Sequence, residues 1–191
     1  MMKMNLPNKL TLFRVVLIIP FLLFLLGGEW GWFGENVFLA NIIALAIFII
    51  ASLTDLLDGK IARKYNLVSN FGKFMDPLAD KLLVSSALIA LTYMGRIPVL
   101  IVIIIISREF IISGFRLIAA DNGIVIAASY FGKFKTTFQM IMVCMMLSGL
   151  QFMYGGFKLT QDIIMWIALV LTVVSLVDYL VKNKDVLKDT K

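Results

Sequence analysis

The chain has 191 residues, of which 61% are hydrophobic and 16% are charged, and its formal net charge is +6. This composition excludes an ordinary water-soluble globular protein and predicts one membrane domain over residues 1–191. No histidine is present, which excludes a phosphohistidine intermediate, a histidine general base and a histidine metal ligand, and the single Cys144 permits no intrachain disulfide.

Six apolar runs approach the length of about 20 residues that a helix needs to cross a bilayer. They occupy residues 10–26, 37–56, 77–94, 97–118, 134–152 and 162–181. The predicted fold class is therefore all-α, a polytopic membrane protein with six transmembrane helices. A short interfacial helix is expected before them, within the Met-rich residues 1–14.

Lysine and arginine indicate which side of the membrane each loop faces. They cluster at both termini, between the second and third runs, and after the fourth run, whereas the alternate loops contain only Arg96 and Lys158. The positive-inside rule then predicts a multi-pass protein of the cell membrane, with both termini and the segment between runs two and three in the cytoplasm. Because the basic residues are spread over short segments between apolar runs, a nucleic-acid partner is not expected.

Three polar residues lie at the start of the first run. Pro7 predicts a break in the chain, and Asn8 is expected to cap the first membrane span. Asn8, Thr11 and Arg14 are three residues apart, so they share one face of a helix. One interpretation is capping and snorkelling to the membrane surface. The other is that the three side chains line the nucleotide end of a binding pocket.

Four carboxylates lie in the polar stretch 54–81, between the second and third runs. Asp55 and Asp58 are three residues apart and Asp76 and Asp80 are four apart, so each pair occupies one helix face. Four carboxylates in one pocket repel each other, and divalent cations relieve that repulsion. Oxygen ligands without histidine or cysteine suit magnesium, manganese or calcium, and two such ions can clamp a phosphate during displacement. The alternative is that the aspartates are helix caps or solvated partners of lysine and arginine.

The polar stretch also contains small residues, which let a flat base or a phosphate approach the backbone. The complete pattern is Asp55-x2-Asp58-Gly59-x2-Ala62-Arg63-x8-Gly72-x3-Asp76-x3-Asp80. It resembles the signature of the CDP-alcohol phosphotransferase family at every fixed position. Members of this family are membrane enzymes, typically homodimers, that transfer a phosphatidyl or similar phosphoryl group from a CDP-linked donor to an alcohol.

The resemblance implies roles for the residues of the pattern. Asp55, Asp58, Asp76 and Asp80 are expected to hold two divalent cations, Mg²⁺ or Mn²⁺, at the diphosphate of CDP-diacylglycerol, and Asp80 to act as the general base. The expected donor-binding residues are Gly59, Ala62, Arg63 and Gly72, with Asn8, Thr11 and Arg14, whose Asn-x2-Thr-x2-Arg spacing resembles a pattern of bacterial members. Arg63 lies about two turns after Asp55, and its guanidinium suits phosphate oxygens.

The fourth run contains Arg108 and Glu109 well inside the apolar segment, and Arg116 two helical turns later. Adjacent residues point to different helix faces, so Arg108 and Glu109 need not pair with each other. We expect Arg108 and Arg116 to face the same cavity as the aspartates and to bind a second anion, together with Lys133 and Lys135. The alternatives are a structural ion pair with another helix and, for the two lysines, simple anchoring at the membrane surface.

A basic cluster away from the metals favours an acceptor that carries its own phosphate. The segments S-R-E-F-x3-G-x-R and G-K-x-K-T resemble the phosphatidylglycerophosphate synthase branch of the family, which uses sn-glycerol 3-phosphate. The expected reaction is direct attack of this acceptor on CDP-diacylglycerol, which gives phosphatidylglycerophosphate and CMP. One alternative is a sister enzyme that uses inositol phosphate, serine or phosphatidylglycerol. A more distant one is a cation transporter, which would need neither the small residues nor the basic site.

Overall fold

The computed structural model describes residues 5–65, 70–121, 123, 126, 129–152 and 154–184. Within these ranges, the side chains at positions 56, 58–64, 70, 71, 73, 74, 121 and 152 lie outside the description. The six α-helices of the described part are α1 (Leu6–Glu29), α2 (Val37–Lys64), α3 (Asn70–Tyr93), α4 (Val99–Asp121), α5 (Tyr130–Leu147) and α6 (Gly155–Lys182). Two short 3-10 segments, Gly34–Asn36 and Leu150–Phe152, accompany them. The all-α prediction is confirmed, and each predicted run corresponds to one helix.

The helices extend beyond the apolar runs where the polar stretch begins and ends. α2 continues through Asp55 to Lys64, and α3 begins at Asn70, seven residues before the predicted start at Pro77. α5 ends at Leu147, earlier than predicted, and Gly149 follows with a φ of 70°. A left-handed glycine commonly ends a helix, because it has no Cβ to clash in this conformation.

Three of the described helical segments are long enough and apolar enough to cross a membrane. They are Leu6–Glu29, Gly34–Asp55 and Gly155–Lys182. α3, α4 and α5 carry the charged residues of the candidate sites, such as Asp80, Arg108 and Lys135. The apolar helices support a membrane protein, and the number of six crossings stays a prediction.

The N-terminal prediction needs correction. α1 runs without interruption from Leu6 to Glu29, so residues 6–14 do not form a separate interfacial helix; residues 1–4 lie outside the described part. The N-cap is Asn5, whose side-chain oxygen accepts the N–H of Asn8 at 3.2 Å, and not Asn8 itself. Pro7 does not break the helix because it lies in the first turn, where its missing N–H costs no hydrogen bond.

The first of two compact units contains α1, α2 and α3, and consists of Met1–Arg96 with Leu147–Gly149. α1 packs against both α2 and α3. Small buried residues on one face of α2, Ala40, Ala44 and Ala51, allow the backbones to approach closely. Phe48 fills the space between them and packs against Phe21 of α1, with ring centroids 5.8 Å apart. This packing makes α1 the helix that contacts both segments of the aspartate pattern.

The second unit contains α4, α5 and α6, and consists of Ile97–Met146 with Leu150–Lys191. α4 packs against α6 around a buried cluster of Ile112, Phe115, Ala119 and Tyr179. At the start of α5, the Ser129 hydroxyl accepts the N–H of Gly132 at 3.1 Å, which is the usual N-capping contact. These elements position the basic residues of the fourth and fifth runs.

Candidate active site

The four aspartates of the pattern lie on two helices of the first unit. Asp55 and Asp58 are in α2, and Asp76 and Asp80 are in α3, so the helical spacing assumed for each pair is present. Asp76 is half-buried and Asp80 is exposed, while the side chain of Asp55 is 35% exposed. The side chain of Asp58 lies outside the described part. The described carboxylates are therefore partly open to the surroundings rather than enclosed.

Two residues of α1 contact one aspartate on each neighbouring helix. The Thr11 hydroxyl donates to Oδ1 of Asp76 in α3 at 2.6 Å. The Arg14 guanidinium donates through Nη1 to Oδ1 of Asp55 in α2, also at 2.6 Å. Thr11 and Arg14 are both fully buried, and they are three residues apart on one face of α1. α1 therefore holds one carboxylate of each pair.

These contacts exclude one of the two interpretations of Thr11 and Arg14. A snorkelling arginine has its charged head in water, whereas Arg14 is buried and paired with a carboxylate. Capping and snorkelling are therefore wrong for Thr11 and Arg14. Asn8 is also buried and lies one turn before Thr11 on α1. That the three line a nucleotide pocket stays a prediction.

The donor set near α1 fits a hard divalent cation. Asp55 and Asp76 belong to different helices, yet α1 binds both within one helical turn of its own length. Each contact uses Oδ1, and a carboxylate has lone pairs on two oxygens, so both groups keep capacity to ligate a cation. Among the described side chains, no three acidic, histidine or cysteine residues are grouped as a metal site.

The remaining donor-site predictions concern the ends of α2 and α3. Gly72 is buried in the first turn of α3. Gly59, Ala62 and Arg63 lie in the last two turns of α2, and their side chains lie outside the described part. Their proposed contacts with the donor stay predictions.

A second polar cluster lies among the helices of the second unit. Arg108 of α4 is only 7% exposed and donates through Nε and Nη2 to the Ser175 hydroxyl of α6, at 3.2 and 3.1 Å. Its Nη1 lies 3.5 Å from Oε1 of Glu109. The same carboxylate accepts from the ammonium group of Lys135 in α5, which is almost fully buried. Glu109 therefore links basic residues of α4 and α5, and Ser175 joins Arg108 to α6.

Arg108 and Glu109 need not pair by their positions on the helix, yet they do. Their backbones point to different faces, but the long side chains turn toward each other and meet. The alternative of an ion pair between helices is also present, because Glu109 of α4 pairs with Lys135 of α5. With two cations and one carboxylate, this group of three side chains has a net charge of +1 (+2 − 1).

Arg116 and Lys133 differ in how they relate to this cluster. Arg116 is exposed and its guanidinium carbon lies 5.9 Å from the ring centroid of Tyr179 in α6. Arg108 and Arg116 thus share the face of α4 that contacts α6. Lys133 is exposed and lies over the ring of Tyr130, 5.9 Å from its centroid. Its exposure agrees with the alternative of surface anchoring.

Two further candidate residues, Ser175 and Tyr179, were not among the site residues predicted from the sequence. Ser175 and Tyr179 are polar positions in the otherwise apolar α6, and their spacing of four places them on one helix face. Polar residues inside an apolar run are a recognised signal of function or buried hydrogen bonding. The pattern alone does not say which helix they contact.

Comparison with known proteins agrees with the geometry. The chain matches the CDP-alcohol phosphatidyltransferase family over residues 4–174. It is 48% identical over 189 residues to the CDP-diacylglycerol–glycerol-3-phosphate 3-phosphatidyltransferase of Bacillus subtilis, covering 96% of this chain and 97% of the relative. It is 37% identical over 176 residues to the protein of that name from Rickettsia typhi, covering 90% and 92%. A probable phosphatidylglycerophosphate synthase of Mycobacterium tuberculosis is 38% identical over 178 residues, covering 93% and 81%.

Proposed function

Because the chain belongs to the CDP-alcohol phosphatidyltransferase family, we propose that it transfers the phosphatidyl group of CDP-diacylglycerol to sn-glycerol 3-phosphate. The products are phosphatidylglycerophosphate and CMP. The observation that carries this proposal is the 48% identity with the Bacillus subtilis phosphatidyltransferase over nearly the full length of both chains. Family membership also removes the alternative of a cation transporter.

The residues proposed to bind the donor lie in the first unit. Two divalent cations, Mg²⁺ or Mn²⁺, held by Asp55, Asp58, Asp76 and Asp80, would screen the diphosphate and stabilise CMP as the leaving group. Arg14 and Thr11 support this arrangement, because each fixes one carboxylate from α1. The diphosphate and the cytidine of the donor are bound by Gly59, Ala62, Arg63 and Gly72, together with Asn8.

The residues proposed to bind the acceptor phosphate lie in the second unit. Arg108 and Lys135 bind the phosphate of sn-glycerol 3-phosphate, and Arg116 adds a further positive charge. The cluster supports this role, because it brings two buried cations, Arg108 and Lys135, to the same carboxylate of Glu109. Gly132 at the start of α5 supports it as well, because a Cβ at this position would lie 3.5 Å from Nη2 of Arg108. The N-terminus of a helix favours anions.

The chemical step is a direct displacement at the β-phosphorus. The free hydroxyl of the acceptor forms the new phosphorus–oxygen bond while the anhydride bond to CMP breaks. Asp80 accepts the hydroxyl proton as general base, a role that its exposed position in α3 permits. Positioning and charge stabilisation carry a phosphoryl transfer of this kind without a covalent enzyme intermediate.

We place this activity in one domain, residues 1–191, of a multi-pass cell-membrane protein. The termini and the site face the cytoplasm, as the distribution of lysine and arginine predicts, and the protein works as a homodimer. The three apolar helical segments of membrane-crossing length support the membrane location.

The test is an acceptor panel with the purified protein, CDP-diacylglycerol and magnesium. The acceptors are sn-glycerol 3-phosphate, inositol phosphate, serine and phosphatidylglycerol, and the lipid product is identified by mass. We expect phosphatidylglycerophosphate and stoichiometric CMP with the first acceptor only. A product with one of the other three and none with sn-glycerol 3-phosphate would assign the protein to a sister activity.

A further inference from the structure

We propose that Ser175 and Tyr179 of α6 are positioning residues for the acceptor phosphate, acting through Arg108 and Arg116 of α4. Neither residue belongs to the aspartate pattern or to the basic segments of α4 and α5. The inference rests on the proposed role of Arg108 in binding the acceptor. It adds that α6 determines how the two arginines are presented.

Ser175 fixes one edge of the Arg108 guanidinium. Its hydroxyl is fully buried and accepts from both Nε and Nη2, at 3.2 and 3.1 Å. The hydroxyl proton is donated within α6 to the carbonyl of Thr172 at 3.0 Å, so both lone pairs are available to the arginine. Because a guanidinium is planar and its donors are rigidly spaced, binding one edge sets the direction of the remaining Nη1.

Nη1 is the group of Arg108 that contacts Glu109, at 3.5 Å. This distance is long for a charge-assisted hydrogen bond. A phosphate that carries more negative charge than a single carboxylate can therefore compete for the same donor. Ser175 holds the guanidinium in place during such an exchange, because its contacts use the opposite edge.

Tyr179 supports Arg116 with its ring. It follows Ser175 by one helical turn, and the Arg116 guanidinium carbon lies 5.9 Å from its ring centroid. Phe115 packs edge-on against the same ring, with centroids 5.9 Å apart, which limits its rotation. The Tyr179 hydroxyl is buried and has no hydrogen-bond partner among the described residues. The aromatic face, rather than the hydroxyl, is thus what contacts the cation.

The first test compares S175A with T172V as the matched control. Both variants remove one fully buried hydroxyl from the same face of α6, but only Ser175 contacts Arg108. Initial rates are measured against each substrate with the other one saturating. For S175A we expect the KM for sn-glycerol 3-phosphate to rise roughly ten-fold, with the KM for CDP-diacylglycerol unchanged. T172V should leave the KM for each substrate unchanged. S175T, which restores a hydroxyl, should return the KM for sn-glycerol 3-phosphate most of the way to the wild-type value.

The second test concerns the ring of Tyr179. Y179L removes the aromatic face and should raise the KM for sn-glycerol 3-phosphate about two- to five-fold. Y179F keeps the ring, so its KM for sn-glycerol 3-phosphate should stay close to the wild-type value. An equal rise in this KM in Y179L and Y179F would contradict the proposed ring contact.

R108Q separates this inference from the proposed function. If R108Q raises the KM for sn-glycerol 3-phosphate and S175A does not, the positioning role is wrong and the acceptor role of Arg108 stands. If R108Q leaves that KM unchanged, the acceptor role itself is wrong. If S175A instead lowers kcat and raises the KM for both substrates, the serine has a merely structural role. Should S175A not purify as a folded protein, S175C replaces it, because a thiol is a weaker acceptor of similar shape.

Discussion

Arg14 of α1 lies fully buried with its Nη1 2.6 Å from Oδ1 of Asp55 in α2, a carboxylate 41 residues away in the chain. One end of this ion pair is enclosed by protein, and the other is a member of the aspartate pattern. A buried guanidinium requires a compensating charge, so Arg14 and Asp55 depend on each other. The pair thus joins the packing of the first unit to its proposed chemistry.

Removing the Arg14 charge should affect both stability and activity. In R14Q, Asp55 loses its partner, and since this carboxylate is 35% exposed we expect a modest stability cost of about 1–3 kcal/mol. Activity should fall by at least about ten-fold, because Asp55 is no longer held in place. Thermal unfolding in detergent and initial rates measure the two effects. R14K is the control: it keeps the charge but not the planar fork, so stability should recover more than activity. Wild-type activity in R14Q would refute this coupling.

D80N tests the general base. The amide cannot accept a proton from the acceptor hydroxyl, so turnover should fall about 10²- to 10⁴-fold. Binding of CDP-diacylglycerol should be largely retained, as measured directly with the purified variant. D162N is a suitable control, because Asp162 lies in the first half of α6, in the other unit. Normal turnover in D80N would show that another group takes the proton.

K135Q and K133Q distinguish the two lysines of α5. Lys135 is buried and paired with Glu109, whereas Lys133 is exposed beside Tyr130. We expect K135Q to raise the KM for sn-glycerol 3-phosphate about ten-fold or more, since it removes a buried charge near Arg108. The effect of K133Q should be several-fold smaller. Equal effects of the two substitutions would mean that Lys133 also reaches the acceptor.

Chelation tests the metal requirement. Exhaustive treatment with EDTA should abolish CMP release, and Mg²⁺ or Mn²⁺ should restore it, because hard oxygen ligands prefer these ions. Because the metal ion should bind only the folded protein, the unfolding temperature should rise as the metal concentration increases. D55N and D76N should weaken this thermal shift. Full activity after exhaustive chelation would remove the metals from the proposed chemistry.

Local features of the fold follow directly from the order of residues. Apolar runs of near-membrane length predict six helices, and the described part contains a helix at each of them. The spacing of the aspartates predicts two pairs, each on one helix face, and both pairs do lie on helices. Helix ends are less predictable, because one capping side chain decides them. Asn5 and Asn8 are equally suitable caps by residue type, yet Asn5 takes the role and α1 starts earlier than expected.

The sequence by itself determined the family, the pattern of carboxylates and the placement of each on a helix, because these depend on residue type and on spacings within one element. The tertiary structure alone decided which side chains meet. Thr11 and Asp76 are 65 residues apart, and Arg108 and Ser175 are 67 apart. Such contacts depend on the register at which two helices pack, and that register is set by the shapes of apolar surfaces such as Phe48 against Phe21. No periodicity within a single helix contains that information.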